Sequence, residues 1–188
     1  MAFFGKNYKK LSDEELMSLL IEREKQAFDE LYIRYSKQML NYFYRMLYFD
    51  KERAEDMLHD LFLKIIEKPY LFNTEKKFST WIYTVAGNML KNEFRDVQIH
   101  GNHEKAYGNE QETRIENEQK VDSKLFLASL NKELDKFDSE LKQIFVLRYF
   151  DEMSIKEIAE IANCPEGTVK SRLFYMNKKL SVSLAAFR

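Results

Sequence analysis

Apolar side chains return at three- and four-residue intervals along most of this chain, the spacing that gathers them on one face of an α-helix. Ser12 and Glu15 form a capping-box pattern ahead of a first short helix whose Leu16, Leu19 and Leu20 point one way. Phe28, Leu31, Tyr32, Tyr35, Met39, Phe43 and Met46 predict a long amphipathic helix over 26–47, closed by a turn around Phe49 and Asp50. Ala54, Met57, Leu58, Leu61, Phe62 and Ile65 repeat the pattern over 51–68, and Pro69 stops that helix. After a polar loop from Tyr70 to Lys77, a fourth helix over 79–95 is expected to bury Trp81, Ile82, Val85, Ala86, Met89 and Leu90.

The rhythm stops over 97–122, where amides, Glu residues and two glycines leave hardly an apolar side chain to bury. Such a stretch cannot offset the entropy of ordering, so it reads as a flexible acidic linker. Beyond it Leu125, Leu127, Leu130 and Leu134 open a second helical domain, continued by Leu141, Ile144, Phe145, Leu147, Arg148 and Tyr149. Two short helical patterns then meet at a tight polar turn, the signature of a helix-turn-helix. Ile155, Ile158, Ala159 and Ala162 make the stripe of the first. Asn163 and Cys164 precede Pro165, which suits a first helical position, and Gly167 permits close backbone approach to a neighbour. The second helix, over 165–180, carries Val169, Leu173, Met176 and Leu180 on one face. The expected organisation is an N-terminal helical extension over 1–25, a helical domain over 26–96, the linker, and a helix-turn-helix domain over 123–188.

Composition narrows the class without changing this picture. Hydrophobic residues make up 45% of the 188 and aromatics 14%, enough for real cores, while five Gly and two Pro leave few places for hairpin turns, so the fold class should be all-α, as two small helical domains. No stretch approaches the roughly 20 apolar residues that span a bilayer, and the start MAFFGKNYKK is too short and polar for a secretory signal, so a cytoplasmic protein is expected. Cys164 is the only cysteine, which rules out an intramolecular disulfide and reads as a small filler. His100 and His103 stand at i, i+3, but without cysteines or clustered carboxylates at ligand spacing no metal site is assigned. The three His, the lone Cys and the scattered carboxylates form no nucleophile, base or metal arrangement, so neither an enzyme nor a cofactor is expected.

Charge is −1 overall, unusual for a chain that holds DNA alone, but its distribution is uneven. From Pro165 onward Lys170, Arg172, Lys178, Lys179 and Arg188 face only Glu166. On that helix Thr168, Ser171, Arg172, Tyr175 and Lys179 form a basic, hydroxyl-bearing face that suits phosphates and base edges. The fourth helix offers a second such face in Thr84, Asn88, Lys91, Asn92 and Arg95, opposite the Trp81 and Val85 stripe, with Lys76, Lys77 and Phe78 just before it. Rings that stack bases, amides that read them and lysines that meet phosphates suit an unpaired nucleotide, although the same residues also fit a solvated helix face with a core Trp. On the third helix Glu52, Glu55, Asp56, His59 and Asp60 make an acidic surface suited to a basic protein partner, or an ordinary solvated face.

The segments FDELYIRY, AEDMLHDLFLKIIEK, FSTWIYTVAGNMLKNEFRD and MSIKEIAEIANCPEGTVKSRL, in this order and spacing, resemble the extracytoplasmic-function (ECF) group of sigma factors in the sigma-70 family, over about Phe28 to Phe94 and Leu125 to Leu180. The resemblance implies a factor that binds core RNA polymerase and directs it to promoter DNA. It implies that Asp56, Asp60 and Phe62 grip the clamp coiled coil of the largest polymerase subunit. Lys76, Lys77, Phe78 and Trp81 would receive an extruded base of the minus-ten element, with Asn88, Lys91 and Asn92 on the reading helix. Thr168, Lys170, Ser171, Arg172, Phe174 and Tyr175 would lie near the minus-thirty-five element. The linker resembles a segment threaded toward the RNA exit path, and an anti-sigma factor is implied as a second partner. The chain departs from many relatives at Tyr175, where they carry Arg, so base preferences do not carry over.

Two other readings compete. A stand-alone helix-turn-helix regulator would use the N-terminal bundle as a sensor or dimerisation unit and has no need of the Trp81 to Asn92 face. A helical adaptor that binds only proteins has no need of Lys170 and Arg172.

Overall fold

The computed structural model describes residues 7–100 and 118–187, and the side chains of all but 96–100, 118–124 and 186. Helices α1 (Asp13–Ile21), α2 (Lys25–Met46), α3 (Lys51–Glu67) and α4 (Phe78–His100) build one compact unit; α5 (Glu118–Leu134), α6 (Ser139–Tyr149), α7 (Ile155–Ile161) and α8 (Glu166–Ser183) build another. No strand occurs among the described residues, and the fold is all-α. No helix among them is long and apolar enough to cross a membrane.

In the first unit α1 begins at the expected capping box: the Ser12 hydroxyl accepts from the Glu15 N–H, and the Glu15 carboxylate accepts from the Ser12 N–H. Leu16 and Met17 are fully buried, so α1 shares the core of this unit and does more than extend it. Arg34 of α2 anchors it. Its guanidinium donates to Asp13 at 2.7 Å, to Glu30 at 2.9 Å and to the carbonyls of Leu11, Tyr8 and Lys9. The Tyr35 hydroxyl donates to the other oxygen of Asp13, and burial pushes that phenol well above its ordinary range, with the Asp13 hydrogen bond adding to the effect. Leu31, Met39, Tyr42, Phe43, Leu61, Ile65, Phe78, Ile82 and Tyr83 complete a core with no exposed surface, each burial contributing about 1.5–3 kcal/mol before chain entropy is counted.

Few glycines are present to turn the chain, so other residues adopt the left-handed conformation: Arg23 ends α1 with φ 70°, and Tyr48 and Phe49 follow α2 with φ 59° and 65°. α3 stops before Pro69, as the sequence predicts. Phe72 turns back into the core, and an Asx turn, in which Asn73 accepts from the Glu75 N–H at 2.9 Å, shapes the loop before α4. The packing of α4 differs from expectation: Trp81 and Val85 are half-buried, and Tyr83 takes the central place. Tyr83 packs edge-on against Tyr42 at 5.1 Å, a pairing across elements that helical spacing does not foretell.

Both helices flanking the expected linker run into it. α4 continues to His100 and α5 starts at Glu118, because Glu118, Gln119 and Lys120 are good helix formers even with nothing apolar to bury. Residues 101–117 of the linker, with His103, lie outside the described residues, as does Arg188.

In the second unit Asp138 caps α6 by accepting from the Leu141 N–H at 2.8 Å, and Ser154 with Glu157 forms a second capping box at α7. The four residues predicted for the inner face of α8, Val169, Leu173, Met176 and Leu180, are all buried. Met176 and Leu180 join Leu130, Leu134 and Phe145 in one cluster. The turn before α8 differs in detail from the sequence reading. Pro165 is the residue before the first helical position, in extended conformation, and its carbonyl accepts from the N–H groups of Thr168 and Val169. Asn163, with φ 50°, takes the left-handed turn, and a side chain added at Gly167 would meet nothing within 4 Å among the described residues, so none of them approaches that glycine.

Candidate nucleic-acid and partner interfaces

Three surfaces carry the chemistry. Because Val169, Leu173, Met176 and Leu180 fix the inner side of α8, Lys170, Ser171, Phe174, Tyr175, Lys178 and Lys179 are exposed, while Thr168 and Arg172 are half-buried. Phe174 is 72% exposed, a large apolar ring among cations. Arg172 lies 3.4 Å from Glu140 of α6, and the Lys179 ammonium sits over the Tyr175 ring at 5.1 Å, so part of the cationic set is held in place before any ligand arrives. The Asn177 amide donates to the Tyr149 hydroxyl at 2.6 Å, a bond between α8 and α6 that the sequence did not reveal. Ammonium groups, hydroxyls and an exposed ring on one helix suit a duplex groove and its phosphates.

The second surface surrounds the start of α4. Lys76, Lys77, Asn88, Lys91, Asn92 and Arg95 are exposed and Thr84 is half-buried. Trp81 is half-buried beside them, on the same side as Asn88 and Asn92, not opposite them. Its ring leans on Phe72 at 5.2 Å and on Phe78 at 5.7 Å. Phe78 itself has no exposed surface: it is wedged edge-on between Tyr35 and Phe72. Phe78 therefore supports the Trp81 ring from behind and cannot touch a ligand in this conformation. Phe72, absent from the sequence prediction, does the same, and the sequence offered little to single it out from the neighbouring Tyr70 and Leu71, which stay exposed. Arg95 donates to the side-chain Oδ1 of Asn92 at 3.1 Å, which leaves the Asn92 amide nitrogen as its donor group.

The third surface joins α2 to α3. Asp56, His59 and Asp60 are exposed, whereas Phe62 is only 3% exposed, edge-on to Phe28 at 6.0 Å and to Tyr32 at 4.7 Å. Phe62 thus floors a shallow groove lined by Phe28, Tyr32, His59, Asp60, Leu63 and Ile66. Leu63 at 53% and Ile66 at 39% exposure carry its apolar character to the surface. An apolar floor with a carboxylate rim suits a partner helix that carries both apolar and basic side chains. Among the described residues no group of three or more His, Cys, Asp or Glu could hold a metal ion.

Known proteins match each unit. The model of sigma-70 region 2 matches residues 31–98, and that of sigma-70 region 4 matches residues 118–174. The RNA polymerase sigma-H factor of Pseudomonas aeruginosa is 24% identical over 181 residues, covering 92% of this chain and 93% of the relative. The ECF RNA polymerase sigma factor SigW of Bacillus subtilis is 28% identical over 159 residues, covering 80% and 84%. Among solved structures, CnrH in complex with the cytosolic domain of CnrY is similar with a TM-score of 0.69 at 21% identity, over 93% of this chain and 97% of that one. The sigma factor RpoE of Bartonella quintana, in complex with the anti-sigma factor NepR, also gives 0.69, at 19% identity, over 86% and 98%. The region 2 match spans the acidic groove and the Trp81 face and the region 4 match reaches Phe174 of α8, so the chain belongs to the sigma-70 family, as a sigma factor of the extracytoplasmic-function group.

Proposed function

We propose that the α2–α3 groove docks the clamp coiled coil of core RNA polymerase, that α8 reads the upstream promoter element, and that the Trp81 face captures bases of the downstream element as the strands part. Asp60 supplies the charged rim of the docking groove, Asp56 adds a second exposed carboxylate one turn earlier on α3, and Phe62 is the floor. Lys170, Ser171, Phe174 and Tyr175 reach DNA from α8 with Thr168 and Arg172 beside them. Lys76 and Lys77 attract the single strand, Trp81 stacks a base, and Asn88, Lys91 and Asn92 contact edges and phosphates. No covalent step is needed. Unstacking a base costs a few kcal/mol, and stacking on an aromatic ring returns about 1–3 kcal/mol per base.

The observation that carries this reading is the pairing of a half-exposed Trp81 with exposed amides and lysines in one unit while a separate unit carries a basic helix face. A regulator working through its helix-turn-helix alone has no use for the first of these. An anti-sigma factor is the second partner class, since a solved protein of the same fold is held by one, and the apolar groove would serve it as well as polymerase. The test is co-elution of the purified chain with bacterial core RNA polymerase from a sizing column at moderate salt without DNA. The chain should move to the polymerase fraction; folded protein that elutes alone would refute the reading.

A further inference from the structure

α4 follows a residue whose side chain cannot cap it. The residue before it is Lys77, whose side chain has no oxygen to accept from the first-turn N–H groups that every helix leaves unpaired. The acceptor comes from 64 residues earlier: the Phe78 N–H donates to the Glu14 carboxylate on α1 at 2.9 Å. A carboxylate at this end of a helix is also favoured by the helix dipole. Glu14 in turn sits on a helix whose place is over-determined, by its own capping box, by the bonds of Arg34 and Tyr35 to Asp13, and by the burial of Leu16 and Met17.

We propose that Glu14 is a positioning residue for promoter opening: it fixes the first turn of α4, and so the placement of Lys76 and Lys77 before it and of Trp81 one turn after it. The assignment rests on the sigma-factor reading above. Two consequences follow from the geometry. The positive end of α4, otherwise an anion site, is already occupied by Glu14, so incoming phosphates are directed to the flexible lysines of the loop and not to the helix terminus. The bond also needs an oxygen at one position, more than it needs a charge, so an amide of the same length satisfies it.

The experiment uses the full chain reconstituted with core polymerase on a duplex promoter, with strand opening read by permanganate reactivity of thymines, well below each variant's melting temperature. Glu14→Ala should lower the rate of opening by up to roughly tenfold, as expected for losing one hydrogen bond, while co-elution with core polymerase is unchanged. Glu14→Gln, which keeps an oxygen at the same reach, should restore opening to within about twofold, and Glu14→Asp, which keeps the charge but withdraws it by one methylene, should not. A loss of fold alone would track the melting temperature across the three variants and would not single out Gln for rescue. Wild-type opening by Glu14→Ala or Glu14→Asp, or failure of Glu14→Gln to rescue, overturns the positioning role. Should Glu14→Ala not fold, the contrast between Gln and Asp decides alone. A wild-type chain that opens no promoter with core polymerase sinks the sigma-factor reading first, before any variant is compared.

Discussion

Replacing Trp81 by Ala separates the ring proposed to meet DNA from the rings that hold it. Trp81 is half-buried, and its contacts at 5.2 Å to Phe72 and 5.7 Å to Phe78 each contribute about 0.5–1.5 kcal/mol beyond area burial. Losing the two ring contacts should therefore cost the first unit about 1–3 kcal/mol in stability, in addition to the apolar area that the truncation exposes. Loss of one stacked base should cost a further 1–3 kcal/mol in the open complex, about a 5- to 150-fold fall in its equilibrium constant. Trp81→Tyr keeps a stacking face and should recover most of the opening. Phe78→Ala makes the contrast: with no exposed surface it should cost about 3–5 kcal/mol of folding stability, a large part of what a domain possesses. Permanganate footprints of the reconstituted polymerase, beside thermal melts of each free variant, give both quantities. If Trp81→Ala opened the promoter as well as wild type, or if Phe78→Leu, once shown to be folded, lost opening while Trp81→Ala kept it, the division between contacting and supporting rings would be wrong.

The Thr80 hydroxyl is buried with no hydrogen-bond partner among the described residues, so Thr80→Val should stabilise the first unit by about 1 kcal/mol and raise its melting midpoint by about 4–8 °C in a calorimetric scan. The Tyr35 phenol is raised by burial and by its bond to Asp13, so its contribution is fully present below the ordinary phenol value near pH ~10 and is lost as pH rises beyond it. Denaturant melts of the first unit should fall off above that pH in wild type and less so in Tyr35→Phe. Lys170→Ala combined with Arg172→Ala should weaken upstream-element binding by the holoenzyme and reduce its salt slope by about 1 for each phosphate no longer neutralised, measured by filter binding across a salt series.

Most of the fold could be read from helical spacing because most helices bury one stripe: the inner face of α8, the stop before Pro69 and the start at the Ser12 capping box appear where expected, whereas α6 buries an unbroken run from Lys142 to Leu147. What spacing could not show is side-chain chemistry between distant elements. Glu14, Arg34 and Asp13 look like solvent-facing charges in a linear pattern, yet they tie α1 to α2 and α4. Lys142 is only 4% exposed, bonded to Asp135 at 2.6 Å, and hydropathy assigns such a residue to the surface. The candidate site was legible as a set of residue types and misjudged in depth. Phe78 and Trp81 are three apart and both aromatic, and only packing against Tyr35 and Phe72 decides that one is core and the other reaches solvent.

α8 spans 18 residues, about 27 Å of unbroken rod. Its outer side carries the basic face from Lys170 to Lys179, while its inner side is held along its length, by Val169 and Leu173 near the start and by Met176 and Leu180, packed among Leu130, Leu134 and Phe145, further on. A rod seated in this way cannot give at one point alone, so a change of volume anywhere beneath it rolls or shifts the whole of it. Side chains around Leu130 and Phe145 therefore set the angle at which the outer face as a whole is presented. Sequence drift in that bed would retune the proposed promoter contacts while every residue of the outer face stays the same.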